Sequence, residues 1–307
     1  MLKKKVYLTR KLPPIAKELL KSRFFSVEEN PGPVLASADL KRALEENDAI
    51  LTTFVDRIGP ELLKMAKVKV ISNYATGLDN IDTKAAEALG IKVFNTPDIV
   101  TDSTADLTLA LLLGFCRRLA EAGAFIQAGW KEWDPEVLVG EELRGKTLGL
   151  LGLGRIGRAV AERARPFGLK ILYYQRFAAP ASPDFQRALS LEELLAASDY
   201  LSLHVPLTPQ TLGLIDWKAF QKMKKKPLIL NLARGPVIKT DDLVRALQEG
   251  LIRGAALDVS DPEPLPSGHP LLNFKNCLIT PHLGTSTFEC RRAMAQKAAE
   301  NILQFYA

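Results

Sequence analysis

The chain contains few residues that can transfer a proton near neutral pH, which narrows its candidate chemistry. It has only three histidines among 307 residues, and imidazole is the side chain best suited to proton transfer at physiological pH. His282 follows the apolar run CLIT, His204 ends the run YLSLH, and His269 lies in the loop LPSGHPLL. We expect His282 to be the proton donor and His269 to be a turn residue. His204 could line a ligand site, but a structural role is favoured.

Two charged residues could complete an acid–base site with His282. Arg234 ends the apolar run LILNLA, and its guanidinium can bind a carboxylate through two parallel hydrogen bonds. Glu263, between two prolines in DVSDPEP, could accept a hydrogen bond from the second ring nitrogen of His282 and fix its orientation. Taken singly, such an arginine or glutamate is an ordinary loop residue. Together the three would suit reduction of a carbonyl group that is bonded to a carboxylate.

A glycine-rich turn suggests a bound dinucleotide. Gly152, Gly154 and Gly157 form GxGxxG directly after the apolar run TLGLL and directly before a helix-like stretch. In this context the first glycine permits a tight turn, the second lets the backbone approach a pyrophosphate, and the third lets helix and strand pack closely. The N-terminus of the helix attracts phosphate. The alternative is a glycine-rich turn without a ligand.

The residues at the end of the next apolar run indicate whether the dinucleotide is NAD or NADP. The run KILYYQR ends in Gln175 and Arg176, where an acidic residue would bind the ribose hydroxyls of NAD. An arginine can instead form charge-assisted hydrogen bonds to a 2′-phosphate. NADP(H) is therefore favoured and NAD(H) remains possible. Alternatively, Arg176 is a solvated loop residue.

Apolar runs alternate with helix-like stretches in both halves of the chain. In the first hundred residues the runs are VYLT from Val6, AILTT from Ala49, VKVISNY from Val68 and IKVFNT from Ile91. The later runs are TLGLLGL from Thr147, KILYYQR from Lys170, YLSLHVP from Tyr200, PLILNLA from Pro227, GAALDV from Gly254 and CLITPH from Cys277. This alternation predicts an α/β protein with a Rossmann-type doubly wound parallel sheet and a second, flavodoxin-like substrate domain. We expect residues 1–97 with 286–307 to form the substrate domain and residues 98–285 to bind the dinucleotide.

Composition narrows the possible partners. The chain is 47% hydrophobic and 25% charged, as in soluble globular proteins, and its longest apolar stretch is about half of a membrane span. The 41 basic and 35 acidic residues are dispersed, so nucleic-acid binding is not expected. The three cysteines are widely spaced, which indicates neither a disulfide framework nor a metal site. The N-terminus lacks the pattern of a signal peptide, so a cytoplasmic location is expected.

A helix that begins at Thr101 suggests self-association. The stretch from Thr101 to Leu119 has apolar residues on nearly all faces, and such a helix needs burial on more than one side. We expect that one domain cannot cover all of the apolar surface of this helix, so a second copy of the chain would cover the rest. The helix therefore predicts a homodimer.

Several motifs together resemble a known family. The ordered set GLGRIG, NLARG, ALDVSDPEP and TPHLG is similar to the signature set of the D-isomer-specific 2-hydroxyacid dehydrogenases. The segments NYATGLDNID and NTPDIVTDSTADLTLALLL extend the resemblance over nearly the whole chain. They are most similar to the glyoxylate and hydroxypyruvate reductases, which implies reduction of a small 2-oxo acid to a D-2-hydroxy acid. Two alternatives are an NAD-dependent dehydrogenase of the D-lactate or D-glycerate type and a dinucleotide-sensing module similar to the C-terminal-binding-protein corepressors.

The resemblance also implies roles for individual residues. Arg234 would hold the substrate carboxylate and polarise the carbonyl, His282 would donate the proton, and Glu263 would support His282. Arg234 and His282 would bind the substrate together with the backbone N–H groups of Ala75, Thr76 and Gly77. The implied dinucleotide contacts are Thr104, Gly152, Leu153, Gly154, Arg155, Ile156, Gly157, Gln175, Arg176, Phe177, Pro206, Leu232, Ala233, Asp258, His282 and Gly284. Thr104 and Asp258 would lie near the nicotinamide.

Overall fold

The computed structural model describes residues 3–23, 25–32, 35–176 and 184–307. The chain divides into two compact units, one formed by Met1–Val100 with Thr285–Ala307 and the other by Thr101–Gly284. Each unit contains one parallel sheet with helices. The predicted fold class, a Rossmann-type sheet plus a flavodoxin-like domain, is confirmed by the strand orders given below.

The first unit has the flavodoxin-like strand order. Its strands are β1 (Lys5–Leu8), β2 (Ser26–Glu29), β3 (Ala49–Thr53), β4 (Val70–Tyr74) and β5 (Lys92–Phe94). Its helices are α1 (Ile15–Ser22), α2 (Ser37–Glu46), α3 (Pro60–Met65), α4 (Thr83–Ala88) and the last helix of the chain, α11 (Phe288–Phe305). The strands pair in parallel in the order β2-β1-β3-β4-β5. This order brings the loops after β3 and β4 to the same edge of the sheet.

The second unit has the Rossmann order with an additional strand. Its strands are β6 (Thr147–Leu151), β7 (Lys170–Tyr174), β8 (Gln186–Arg187), β9 (Tyr200–Leu203), β10 (Leu228–Asn231), β11 (Gly254–Leu257) and β12 (Cys277–Ile279). Its helices are α5 (Thr101–Cys116), α6 (Leu119–Gln127), α7 (Arg155–Ala164), α8 (Leu191–Ala197), α9 (Trp217–Gln221) and α10 (Thr240–Gln248). Short 3₁₀ turns occupy Arg165–Phe167, Gly235–Val237 and Pro270–Asn273. The sheet order is β12-β11-β10-β9-β6-β7-β8, so the strand order reverses next to β6.

The sheet of the second unit is buried on both faces. Leu228 and Leu230 of β10 belong to a core cluster that includes residues of α5 and α7. Ile229, between them, belongs to a different cluster that includes residues of α8, α9 and α10. Successive side chains of a strand point to opposite faces, so both faces of β10 need apolar residues. This explains why the strands of this unit are recognisable as nearly continuous apolar runs.

Elements with weaker apolar patterns were not predicted. β2 has the sequence SVEE, and its residues are exposed or half-buried at the sheet edge. β8 has only two residues, both exposed. The predicted helix from Thr101 to Leu119 is divided, because Arg118 has a φ of 54° between α5 and α6. β2 and β8 bury few apolar side chains, so hydrophobic periodicity does not reveal them.

The helix that led to the homodimer prediction is largely covered within its own unit. α5 packs against α7, and its half-buried Leu107, Leu113 and Phe115 contact the core cluster. Exposed apolar residues instead follow α5 along the chain: Leu119, Phe125, Ile126, Trp130, Trp133 and Val139. The expected apolar surface therefore lies at residues 119–139. Within the described ranges, no helix combines the length and apolar character that crossing a bilayer requires.

Candidate active site

The glycine turn between β6 and α7 has the close contacts that its sequence predicted. Gly152 has a φ of 98°, and a Cβ there would lie 2.7 Å from the carbonyl oxygen of His204. A Cβ on Gly157 would lie 2.2 Å from the carbonyl oxygen of Gly152. A Cβ on the exposed Gly154, in contrast, would meet no atom within 4 Å. The turn is tight on the protein side and open at Gly154, and no described side chain caps α7, which fits a bound pyrophosphate.

The end of β7 is connected to this turn. The Gln175 side chain accepts a hydrogen bond from the Leu153 N–H at 3.3 Å, and the Gly152 N–H donates to Tyr174 O at 2.9 Å. Arg176 is exposed directly after Gln175. Phe177, the next residue of the implied contact set, lies outside the described residues.

A second arginine, Arg187, lies beside the end of β7 and was not identified from the sequence. Arg187, at the end of β8, places Nη2 3.5 Å from the carbonyl oxygen of Gln175. The neighbouring acids have other partners: Asp184 lies 3.4 Å from Arg165, and Glu193 accepts from the Leu189 N–H at 2.7 Å. No carboxylate in the described part of the chain pairs with Arg187. Its sequence context, between the apolar Phe185 and Leu189, carries no recognisable motif.

Arg234 follows β10 and is held by an asparagine at the end of that strand. The buried Asn231 donates through Nδ2 to Arg234 O at 2.9 Å and accepts from the Ala233 N–H at 3.0 Å. Arg234 Nη1 donates to Ala233 O at 2.8 Å. Gly235 lets this loop pack against the loop after β11, because a Cβ there would lie 1.9 Å from Ser260 O. The loops that carry Arg234 and Glu263 are therefore neighbours.

Glu263 and His282 are in direct contact. His282 Nδ1 lies 2.5 Å from Glu263 Oε1, and both side chains are partly accessible to solvent. His282 has a φ of 56°, a left-handed conformation that is uncommon for residues other than glycine and that occurs frequently at functional sites. The contact engages Nδ1 and so fixes the orientation of the imidazole ring.

Asp258 organises the loop that carries His282. Its buried carboxylate accepts hydrogen bonds from Thr280 Oγ1 at 2.7 Å, the Leu283 N–H at 2.6 Å and the Gly284 N–H at 2.8 Å. The N–H of His282 donates to Asp258 O at 3.0 Å. Three donors compensate the cost of burying this carboxylate.

Gly284 is also held by α5. Thr104 Oγ1 lies 3.3 Å from Gly284 O, and Ser103, which sequence reasoning missed, donates to the same oxygen at 2.8 Å. Both hydroxyl groups lie on α5, where the apolar pattern indicated packing and the family resemblance pointed to Thr104 but not to Ser103.

Arg155 and Ile156 begin α7, and the other implied residues follow strands. Leu232 and Ala233 follow β10, and the exposed Pro206 follows β9. Ala75, Thr76 and Gly77 follow β4 in the first unit. Among the described residues, no group of three or more histidine, cysteine, aspartate or glutamate side chains could hold a metal ion.

The other two histidines have structural contacts. His204 Nε2 lies 2.8 Å from Ser202 Oγ, and burial lowers the pKa of His204 to about 4. His269 Nδ1 accepts from the Leu271 N–H at 3.2 Å at the start of a 3₁₀ turn. His204 is therefore neutral at pH 7 and supports the glycine turn through its backbone.

Comparison with known proteins gives consistent matches. A family model for the NAD-binding domain of D-isomer specific 2-hydroxyacid dehydrogenases matches residues 109–284. A glyoxylate reductase from Thermococcus litoralis is 42% identical over 313 residues, covering 99% of this chain and 94% of the relative. A solved structure from Thermus thermophilus has a TM-score of 0.92 and 46% identity, covering 97% of this chain and 96% of the other. An NADPH-dependent glyoxylate/hydroxypyruvate reductase from Sinorhizobium meliloti, in complex with NADP and malonate, has a TM-score of 0.85 and 30% identity, covering 99% and 94%.

Replacing His204 with Gln should flatten the pH dependence of unfolding between pH 6.5 and about 4. The pKa of His204 falls from 6.5 to about 4 on folding, so in this window the unfolded chain binds a proton that the folded protein does not. The contribution is fully present above pH 6.5 and is lost as the pH falls. Urea unfolding at both ends of the window measures the slope. If the variant loses stability as steeply as the wild type, His204 is not the responsible group.

Proposed function

Because this chain belongs to the D-isomer-specific 2-hydroxyacid dehydrogenase family, we propose that Arg234, Glu263 and His282 form its catalytic group. The protein is an NAD(P)-dependent oxidoreductase that reduces 2-oxo acids. The observation that carries the proposal is the 2.5 Å contact between Glu263 and His282, next to the loop of Arg234 and in the same unit as the glycine turn. The names of the relatives favour an enzyme over a corepressor-like module.

Each member of the group has one task. The Arg234 guanidinium binds the substrate carboxylate and stabilises negative charge on the adjacent carbonyl oxygen. His282 donates a proton from Nε2 to that oxygen, and Glu263 holds the ring at Nδ1 so that Nε2 is presented. The dinucleotide, when bound, supplies the hydride that the 2-carbon receives. Proton and hydride together convert the 2-oxo acid into the 2-hydroxy acid.

The residues around the glycine turn fit the dinucleotide. The open position at Gly154 and the N-terminus of α7 would hold the pyrophosphate. We propose NADP(H) as the preferred form, because Arg176 and Arg187 lie at the strand end where the adenosine ribose binds in this fold. Two guanidinium groups there attract a 2′-phosphate.

The proposed substrates are glyoxylate and hydroxypyruvate, because the names of the relatives contain these two small 2-oxo acids. The alternative is a dehydrogenase of the D-lactate or D-glycerate type working with NAD. Small pockets distinguish one methylene or hydroxyl group by only about 1–3 kcal/mol, so the choice rests on kinetics. A cytoplasmic location is also proposed, supported by three cysteines that all lie in the described ranges and form no disulfide.

We further propose that the protein is a homodimer whose contact includes residues 119–139. Trp133, Val139, Leu119 and Ile126 in this segment are more than half exposed. An apolar surface of this kind is typical of an association site. A second copy of this chain is the partner that we expect to cover this surface, because oligomers of soluble proteins are most often symmetric dimers.

His282→Asn should lower kcat by about 10²-fold to 10⁴-fold and weaken dinucleotide binding far less, because a proton donor acts only in the transition state. Asparagine is suitable because it tolerates the positive φ at this position. Glu263→Gln should lower kcat less, since the donor itself remains. His269→Asn is the matched control and should retain full activity. Equal losses of kcat and of dinucleotide affinity in His282→Asn would contradict the proton-donor role.

The wild-type protein should oxidise NADPH faster than NADH with glyoxylate or hydroxypyruvate, and pyruvate should be a poorer acceptor. Arg176→Asp should lower the preference for NADPH by about 10-fold to 100-fold, because a charge-assisted hydrogen bond to the 2′-phosphate becomes a repulsion. Initial rates with both dinucleotides give the ratio.

Lys170→Asp makes the same change of charge at the other end of β7 and should leave this ratio unchanged. An unaltered ratio in Arg176→Asp would make Arg176 an ordinary solvated residue. Tight dinucleotide binding without turnover of any of the acids would favour the corepressor-like module.

Light scattering with size-exclusion chromatography should give twice the 33.8 kDa mass of one chain. The double variant Ile126→Glu, Trp133→Glu should elute as a monomer, because charge at these positions opposes burial. Leu189→Glu, at an exposed apolar residue outside the segment, should remain dimeric. A monomeric wild type, or a dimeric double variant, would rule out this contact.

A further inference from the structure

In the loop after β4, the carbonyl groups of Ala75, Thr76 and Gly77 all accept hydrogen bonds from the protein. The Thr96 N–H donates to Ala75 O at 2.9 Å. The side chain of Asn95 donates through Nδ2 to Thr76 O at 2.7 Å. The side chain of Asn73 donates through Nδ2 to Gly77 O at 3.0 Å. The loop therefore has a fixed backbone orientation, although it lies outside the helices and strands.

Two N–H groups of the same loop, in contrast to its carbonyl groups, have no hydrogen-bond partner in the described part of the protein. These are the N–H groups of Thr76 and Gly77, and both residues are partly exposed. In a planar trans peptide the N–H points away from the C=O of the same peptide. The hydrogen bond from Asn95 to Thr76 O therefore directs the Gly77 N–H away from Asn95. The bond from Thr96 to Ala75 O does the same for the Thr76 N–H.

Asn95 is itself anchored by α11. The buried Asn301 donates through Nδ2 to Asn95 O at 3.0 Å and lies 3.4 Å from Ser72 Oγ. Ser72 Oγ in turn donates to Ala298 O at 2.8 Å. The hydrogen bond from Asn301 of α11 thus fixes the backbone of Asn95. The Asn95 side chain in turn fixes the Thr76 carbonyl group of the loop.

We propose that Asn95 is a positioning residue that aims the Gly77 N–H at the carboxylate of the substrate. This inference rests on the proposed function, and on the family resemblance, which implies that the backbone N–H groups of Ala75, Thr76 and Gly77 bind the substrate. The Thr76 and Gly77 N–H groups are adjacent donors with no acceptor among the described residues, and a carboxylate offers two acceptor oxygens. Asn95 touches neither substrate nor dinucleotide and acts only through the peptide that joins Thr76 and Gly77.

The test uses Asn95→Leu, which nearly keeps the volume of asparagine but removes the amide donor. The KM for glyoxylate should rise about 10-fold or more, because a hydrogen bond to a charged group is weakened. The change in kcat should be small, because the carboxylate is bound equally in the ground state and the transition state. Calorimetric titration with oxamate, in the presence of NADPH, should show the same loss of affinity, while NADPH affinity stays unchanged.

Two further variants separate positioning from general stability. Asn47→Leu removes a similar amide, which donates to Ala43 O at 2.9 Å at the end of α2. It should lower thermal stability without changing the KM. Asn95→Gln keeps an amide donor and should lie between the wild type and Asn95→Leu, which also provides a measurement if the leucine variant does not fold.

Unchanged KM and oxamate affinity in Asn95→Leu would overturn the positioning role, as would a loss confined to thermal stability like that of Asn47→Leu. In both cases the proposed function would stand, since wild-type turnover is measured in the same experiment. A wild-type protein that neither reduces glyoxylate nor binds oxamate would overturn the proposed function and, with it, the role of Asn95.

Discussion

Parallel strand pairing is the constraint on which the candidate site depends. All strands of the second unit run in one direction, so the loops that follow them emerge at one edge of the sheet. β10, β11 and β12 are neighbours, and the loops after them carry Arg234, Glu263 and His282. The glycine turn follows β6, where the strand order reverses. Residues as far apart in the sequence as Gly152 and His282 therefore follow strands of one sheet at the same end of that sheet.

Buried polar side chains at strand ends fix the irregular loops. Asn231 holds the loop of Arg234, and Asp258 holds the loop of His282 through three hydrogen bonds. In the first unit, Asn73 and Asn95 hold the loop after β4. Loops lack the repeating hydrogen bonds of helices and strands, so their backbone groups need partners from side chains. The cost of burying each polar group is offset by the bonds that it makes.

The same logic explains which backbone groups remain available. The carbonyl groups of Ala75, Thr76 and Gly77 accept hydrogen bonds from the protein, whereas the N–H groups of Thr76 and Gly77 have no acceptor among the described residues. Such N–H groups are suited to anions, and the 2-oxo acid and the dinucleotide are both anionic. In the second unit, arginines at or just after the ends of β7, β8 and β10 add positive charge at the carboxyl ends of the strands. Each unit thus has hydrogen-bond donors at the ends of its strands, and such donors are suited to negatively charged ligands.

The amino-acid sequence by itself determined the two α/β units, most of the strands and the glycine turn. It also identified Arg234 and His282 as strand-end candidates, because buried parallel strands need continuous apolar runs and the loops after them are easily located. Edge strand β2 and the two-residue β8 were missed, since neither buries an apolar face. Only the tertiary structure decided that Glu263 reaches His282, that Arg187 lies beside Gln175, and that Asn95 holds Thr76. Those contacts join loops through backbone carbonyls and single polar atoms, and no periodic pattern in a sequence records such distances.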